Sequence, residues 1–135
     1  MKDSHLTHAR TAVFNVNYHF VWCVKYRKKV LIGEIETKLK GLLLKIAVDN
    51  DFLIRNMEIM PDHVHVFASA HPKYAPGHLY KILKGTTARI LFSEFKELKE
   101  KLYKGHLWAP TTYVETIGHI SEATVVKYIE EQKTK

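Results

Sequence analysis

The sequence has very little cysteine and no long apolar run. Its single cysteine, Cys23, excludes a disulfide framework and a cysteine-rich zinc site, and it suits a reducing cytoplasm. Nowhere do about 18 apolar residues follow one another, and the segment MKDSHLTHAR lacks an apolar core. We therefore expect neither a membrane span nor a signal peptide. Repeats, linkers and low-complexity segments are also lacking, so we expect one domain over residues 1–135.

Acidic residues are scarce relative to basic ones. The chain has 21 Lys and Arg against 14 Asp and Glu, which gives a net charge of +7. A basic balance on one small domain favours a polyanionic partner, with nucleic acid first. Alternatively, the basic charge has no functional reason. Charge alone does not decide between this interpretation and a nucleic-acid partner. The 46% of hydrophobic residues is enough for a folded core.

Apolar periodicity predicts an α+β fold. The pattern gives strands, helices and a last helix in the order β-α-β-β-α-β-α, with strands over 13–24, 52–60, 63–70 and 108–117 and helices over 34–48, 79–91, 92–103 and 121–132. Pro110 is expected to interrupt the last strand, and Gly85 to weaken the second helix. The order predicts a ferredoxin-like or RRM-like antiparallel sheet with helices on one face and an additional C-terminal helix.

Two histidines, His63 and His65, follow the turn formed by Pro61 and Asp62. Residues two apart on a strand share a face, so these two imidazoles can bind one metal ion. Two ligands leave a metal under-coordinated, so a third is required. Imidazole favours Zn²⁺ or Mn²⁺ over Mg²⁺. The alternative to a metal site is that both histidines are partly buried and simply hydrogen-bonded. Asp62 is expected to serve the turn and to point away from His63.

The last helix carries Tyr128 and Gln132, four residues apart and therefore on one face. One interpretation is an amphipathic helix with Val125 and Ile129 in the core. The other makes Tyr128 a nucleophile and Gln132 a metal ligand beside it. A tyrosine hydroxyl has a pKa near ~10, so it attacks well only where cations stabilise the phenolate.

Basic residues interleaved with an aromatic form the third candidate feature. The predicted DNA contacts lie in the loop after the first strand and on the second helix; they are Lys25, Arg27, Lys28, Lys29, Lys84 and Arg89, with Tyr26 inside the first group. Phosphate contacts combined with base stacking are what single-stranded or looped DNA requires. A solvated surface is the alternative interpretation.

Taken together, these stretches resemble the small HUH transposases with a single catalytic tyrosine. The matching segments are YHFVW (18–22), KYRKKVL (25–31), MPDHVH (60–65), LKGTTAR (83–89), Trp108 with Tyr113 and Val114, and the segment from Gly118 through VKYIEEQ (126–132). They occur in order and span nearly the whole chain.

The resemblance implies a complete site. His63, His65 and Gln132 would bind Mg²⁺ or Mn²⁺. Tyr128 would attack a DNA phosphodiester, releasing a 3′-hydroxyl and forming a 5′-phosphotyrosine that a 3′-hydroxyl later attacks to rejoin the strands. It further implies recognition of DNA hairpins at the ends of insertion sequences, and a homodimer whose active sites combine the histidines of one subunit with the tyrosine helix of the other. We expect such a protein in the prokaryotic cytoplasm, at the nucleoid when active.

Two alternative functions remain. One is a non-catalytic RRM-like module that binds nucleic acid without a metal. The other is a domesticated relative that processes hairpin repeats of the host genome with the same chemistry.

Overall fold

The computed structural model describes residues 7–8, 13–14, 16–102 and 105–118. The predicted last helix, with Tyr128 and Gln132, lies outside these ranges. In chain order the elements are β1 (Thr7–His8), β2 (Val13–Phe14), β3 (Asn17–Val24), a 3₁₀ turn (Lys25–Arg27), α1 (Gly33–Asp49), β4 (Leu53–Met60), β5 (His63–Ser69), α2 (Pro76–Glu94), α3 (Lys96–Lys101) and β6 (Trp108–Ile117).

Strands β3 to β6 form one antiparallel sheet in the order β4-β5-β3-β6. With α1 after β3 and α2 after β5, this is the ferredoxin-like arrangement, so the predicted fold class is confirmed. In the described ranges, every helix is too short or too polar to cross a lipid bilayer.

The predicted strand over 13–24 is two strands with different partners. Val13 and Phe14 pair with Thr7 and His8 in a separate small sheet, whereas Asn17–Val24 lies at the centre of the large sheet. Apolar and polar residues alternate in both segments, because side chains alternate between faces in any strand, and the two strands therefore look like one in the sequence. The pattern alone does not encode which neighbour a strand pairs with.

Pro110 interrupts the pairing of β6 with β3, as expected, although β6 itself continues from Trp108 to Ile117. Trp22 pairs with Thr112 and Val24 with Trp108, so three residues of β6 bulge opposite Cys23. Strand β6 also lies at the edge of the sheet, a position at which proline is tolerated.

Helix α2 continues unbroken through Gly85. Its Thr87 side chain is fully buried and makes hydrogen bonds both within the helix and to the sheet. The Thr87 hydroxyl donates to the Leu83 carbonyl at 2.6 Å and accepts from Trp108 Nε1 at 3.1 Å. The helix is thereby tied to the first residue of β6. The predicted lysine-rich helix after it is shorter than expected, since α2 ends at Glu94 and α3 begins only at Lys96.

The core lies between the sheet and the two long helices. Each element contributes the apolar side chains of one face: Tyr18, Phe20, Trp22 and Val24 from β3, Val64 and Val66 from β5, Leu39 and Leu43 from α1, and Leu79, Leu83 and Leu91 from α2. The other face of the sheet therefore carries the alternate residues of β3 and β5.

Truncation of Leu83 tests this packing. Leu83 is fully buried, so Leu83→Ala is expected to lower the free energy of unfolding by about 2–5 kcal/mol, measured by urea denaturation. The matched control is Leu44→Ala on α1, where the side chain is 49% exposed and the expected change is within about 0.5 kcal/mol. Equal losses in the two variants would contradict the packing described.

Candidate active site

His63 and His65 lie on the sheet face opposite α1 and α2, which we call the histidine face. Val64, between them, is fully buried in the core, so the two imidazoles project together on the other side. In the sheet register, Val21 of β3 pairs with His65, and Glu58 of β4 pairs with His65 from the other side.

The ring of His63 is held by the turn before it. Its Nδ1 lies 2.7 Å from Asp62 Oδ1, and Arg27 donates from Nε and Nη2 to Asp62 Oδ2, both at 3.0 Å. Burial alone would raise the pKa of Asp62, but hydrogen bonds from His63 and Arg27 outweigh it and hold that pKa below its usual value. An ionised Asp62 is an acceptor only, so His63 donates its Nδ1–H and keeps Nε2 for another partner.

Asp62 was expected to point away from His63, by strand alternation. It lies instead in the two-residue turn before β5, where alternation does not apply, and its carboxylate reaches the neighbouring ring. Its turn position is as expected, but its contact with the ring is not.

The ring of His65 is held by β3. His65 Nδ1 lies 3.0 Å from His19 Nε2, and the two side chains are 3% and 1% exposed. Burial lowers the pKa of His65 to about 4, with smaller contributions from the other two histidines. Burial also lowers the pKa of His19, although the Glu115 carboxylate, 3.7 Å from His19 Nδ1, acts in the opposite direction. Both rings are therefore neutral near pH 7.

The histidine pair fits a shared metal ion. The ring centroids of His63 and His65 lie 5.1 Å apart with the planes at 72°. With metal–nitrogen bonds of about 2.1 Å, two rings on one ion have centroids roughly 4.5–5.5 Å apart. Because the protein engages Nδ1 of each ring, Nε2 is the nitrogen that each offers. Among residues 16–102 and 105–118, no group of three His, Cys, Asp or Glu side chains could hold a metal, so these ranges offer an ion the histidine pair without a third side chain of these types.

The basic loop after β3 lies next to this pair. Val24 N–H donates to the Asp62 carbonyl at 2.9 Å and Leu31 N–H to the Pro61 carbonyl at 2.9 Å, so both ends of the loop are fixed to the turn before His63. The loop between them carries four of the predicted DNA-contact residues, which are Lys25, Arg27, Lys28 and Lys29.

Two residues of this loop have an unusual backbone. Tyr26 and Arg27 have φ values of 60° and 54°, in the left-handed region that non-glycine residues occupy at a cost of about 1–3 kcal/mol each. The conformation leaves the Tyr26 ring 58% exposed, with Lys25 Nζ 5.4 Å from its centroid. An exposed aromatic among cations suits stacking with a nucleic-acid base.

The other two predicted DNA contacts lie on α2, which packs against the opposite face of the sheet. Lys84 Nζ donates to the Ala109 carbonyl at 3.0 Å and to Thr112 Oγ1 at 2.9 Å, and burial lowers its pKa. Arg89 is exposed. The fold thus brings the loop cations to the histidine pair but not Lys84 and Arg89, whose DNA role stays a prediction.

Sequence reasoning missed His19, Glu115 and the contact of Asp62. Strand alternation puts His19 on the face of β3 opposite the core, but its contact with His65 depends on the β3–β5 register. Glu115 comes to His19 as its register partner on β6.

A ferredoxin-like sheet with an H-x-H pair on the face opposite its helices is consistent with the HUH-type transposases that the sequence resembles. The model of the IS200-like transposase family matches residues 12–132. The chain therefore belongs to the IS200-like transposase family.

Individual relatives agree with this assignment. The ISDra2 transposase TnpA of Deinococcus radiodurans is 44% identical over 126 residues, which cover 93% of this chain and 90% of that protein. The transposase for insertion sequence element IS200 of Salmonella typhimurium is 29% identical over 130 residues, 96% of this chain and 83% of that one.

Solved structures give the same result for the fold. The crystal structure of a Deinococcus radiodurans R1 protein assigned as a transposase superposes with a TM-score of 0.77 at 37% identity, covering 93% of this chain and 97% of that one. A REP-associated tyrosine transposase bound to a REP hairpin has a TM-score of 0.61 at 15% identity, covering 89% and 67%, and this likeness shows the fold alone.

Proposed function

We propose that this transposase cleaves and rejoins single-stranded DNA at the hairpin-bearing ends of an insertion sequence, with Tyr128 as nucleophile and a divalent metal. The observation that carries the proposal is the paired arrangement of His63 and His65, each with Nδ1 engaged by the protein and Nε2 left for a ligand. A passive nucleic-acid module needs no such pair.

The metal site would combine His63, His65 and the amide oxygen of Gln132. When bound, Mg²⁺ or Mn²⁺ would polarise a phosphate oxygen and stabilise a phenolate nearby. Two imidazoles favour Mn²⁺, whereas the family resemblance implies either ion. The protein's own contribution is to hold the two rings in place through Asp62 and His19.

The chemistry proposed for Tyr128 is a transesterification. Its phenol loses the proton, the phenolic oxygen forms a bond to phosphorus, and the bond from phosphorus to the 3′ oxygen breaks. The departing 3′ oxygen takes up a proton, and the 5′ side of the DNA remains on Tyr128 as a phosphotyrosine. Attack by another 3′-hydroxyl reverses these steps and joins a new strand, so no external energy source is required.

DNA would approach along the basic loop. Lys25, Arg27, Lys28 and Lys29 supply phosphate contacts next to His63, and Tyr26 supplies a stacking surface. Hairpin recognition is part of the proposal; the REP-associated tyrosine transposase, which shares this fold, was solved bound to a REP hairpin. We further propose a homodimer whose active sites combine the histidines of one subunit with Tyr128 and Gln132 of the other.

An adduct assay with labelled hairpin DNA tests this function. The wild-type chain with Mn²⁺ is expected to form a protein–DNA adduct that survives denaturation. EDTA added before the DNA is expected to prevent adduct formation, and an excess of Mn²⁺ is expected to restore it. DNA of the same length without a hairpin serves as the control substrate. Hairpin binding that needs no metal and yields no adduct would contradict the proposal and favour the RRM-like module.

The insertion-sequence assignment has separate support in the 44% identity to the ISDra2 transposase. A domesticated protein would act on repeats elsewhere in the genome. Matching hairpins on both sides of the gene are expected for an element that moves itself, and their absence would favour domestication.

A further inference from the structure

His19 is a buried polar residue that the proposed chemistry does not use directly. It projects from β3 onto the histidine face, where its ring stacks on Phe67 with the centroids 4.3 Å apart and the planes nearly parallel at 1°. Its Nε2 lies 3.0 Å from His65 Nδ1, and its Nδ1 lies 3.7 Å from Glu115 Oε1. Three titratable side chains from β6, β3 and β5 thus form one row across the sheet.

The order of protons along this row follows from the chemistry of its ends. The carboxylate of Glu115 can only accept, so it favours a proton on the facing Nδ1 of His19. A neutral His19 with that proton has an acceptor at Nε2, so the proton between the two rings belongs to His65 Nδ1. A neutral His65 protonated at Nδ1 has a lone pair at Nε2, the nitrogen that can bind a metal.

The reverse order is unfavourable for a physical reason. If His19 donated from Nε2, its Nδ1 lone pair would face the carboxylate of Glu115, and His65 would carry its proton at Nε2. That form of His65 cannot bind a metal through Nε2 without first moving the proton. Glu115 therefore sets a direction that neither histidine sets by itself.

We propose that Glu115 and His19 are positioning residues that fix the Nδ1–H tautomer and the ring orientation of His65, so that Nε2 is prepared for the metal. The inference rests on the proposed function, because it assumes a metal on His63 and His65. It adds two residues from other strands to that site. Mutation of a residue that hydrogen-bonds to a metal-binding histidine typically lowers metal affinity by about 10–100-fold.

A purely structural role for His19 is the rival explanation, and a set of variants separates the two. His19→Phe keeps an aromatic ring for stacking on Phe67 but removes the acceptor for His65 Nδ1–H. His19→Gln retains an acceptor in a smaller side chain. Phe67→Leu is the matched control, because it disturbs the same stack without touching the row of protons.

Manganese binding is measured by titration calorimetry on the full-length chain without DNA. We expect Mn²⁺ to bind about 10–100-fold more weakly to His19→Phe, while His19→Gln recovers much of the loss and Phe67→Leu stays near wild type. Hairpin affinity is expected to stay unchanged in all three. Wild-type Mn²⁺ affinity in a folded His19→Phe would overturn the proposal, as would an equal loss in Phe67→Leu.

A second measurement needs neither metal nor a core variant. Long-range ¹H–¹⁵N NMR of the metal-free wild-type protein near pH 7 is expected to show His65 and His19 both protonated at Nδ1. In Glu115→Gln, the amide can either donate to His19 or accept from it, so we expect both rings to be a mixture of the Nδ1–H and Nε2–H tautomers. Protonation of His65 at Nε2 in the wild type would overturn the proposal, whether or not His19→Phe folds.

Failure of the proposed function is distinguishable from failure of this inference. If the wild type and His63→Ala bind Mn²⁺ equally, the metal site itself is wrong. The NMR result on the metal-free protein still decides whether Glu115 and His19 set the tautomer of His65.

Discussion

Replacing Tyr128 with phenylalanine is expected to abolish the covalent protein–DNA adduct. Phenylalanine lacks the oxygen that would bond to phosphorus, so the loss should be complete, below the detection limit of a denaturing gel with labelled hairpin DNA and Mn²⁺. Hairpin binding should persist, because the proposed phosphate contacts are made by the basic loop and not by Tyr128.

The matched control is Tyr113→Phe, which removes a different tyrosine hydroxyl from the histidine face. Tyr113 is exposed on β6, in register with Val21, and its hydroxyl lies 3.3 Å from Glu115 Oε1. The negative charge of Glu115 raises the pKa of Tyr113, which disfavours the phenolate and makes it a poor nucleophile. Tyr113→Phe should still form the adduct. An adduct that persists in Tyr128→Phe would contradict the assignment of Tyr128 as the nucleophile. An adduct that is lost in Tyr113→Phe would instead indicate Tyr113, on β6, as the nucleophile.

The second large effect is expected for His63→Ala. Loss of this ring removes one of the two histidines proposed to bind the metal, and cleavage should fall by about 10²–10³-fold, the range for removing one preorganised group that stabilises charge in a transition state. Affinity for hairpin DNA should stay near wild type in a gel-shift assay, because the metal would serve chemistry while the loop cations serve binding. Unchanged cleavage would rule out the metal role of His63.

A double variant of Lys28 and Lys29 to alanine is the complementary control. Both side chains are exposed in the basic loop, so their loss should weaken hairpin binding and flatten its dependence on salt. Cleavage at saturating DNA should remain. Opposite phenotypes in His63→Ala and the lysine variant would separate the chemical site from the binding surface, and identical phenotypes would show that the two are not separable.

Periodicity predicted most of this fold because each element has one apolar face. The alternation from Tyr18 to Val24 and the helical spacing of Leu39 and Leu43 define the core. The same rule puts His63 and His65 on one face, since Val64 between them is buried. The sequence marked an irregularity at Pro110, but its form, a bulge on an edge strand, is a property of the sheet and not of the strand sequence.

The surroundings of the histidines could not be predicted in the same way. His19 is 46 residues from His65 in the chain, and only the pairing of β3 with β5 brings the rings together. The contact of Arg27 with Asp62 depends on a left-handed loop that no local pattern indicates. The roles of Tyr128 and Gln132 stay predictions, because both lie outside the described residues.

The left-handed loop has a thermodynamic consequence for the proposed metal site. The Arg27 side chain is 63% exposed, yet it holds the Asp62 carboxylate that binds His63. A DNA phosphate that bound Arg27, as proposed, would compete with Asp62 for the same guanidinium, and a weaker hold by Arg27 would leave more negative charge on Asp62 to polarise the His63 ring. In the proposed function, DNA occupancy of the loop and metal binding at His63 would therefore be linked, and such linkage is reciprocal: whatever DNA did to the affinity for the metal, the metal would do equally to the affinity for DNA.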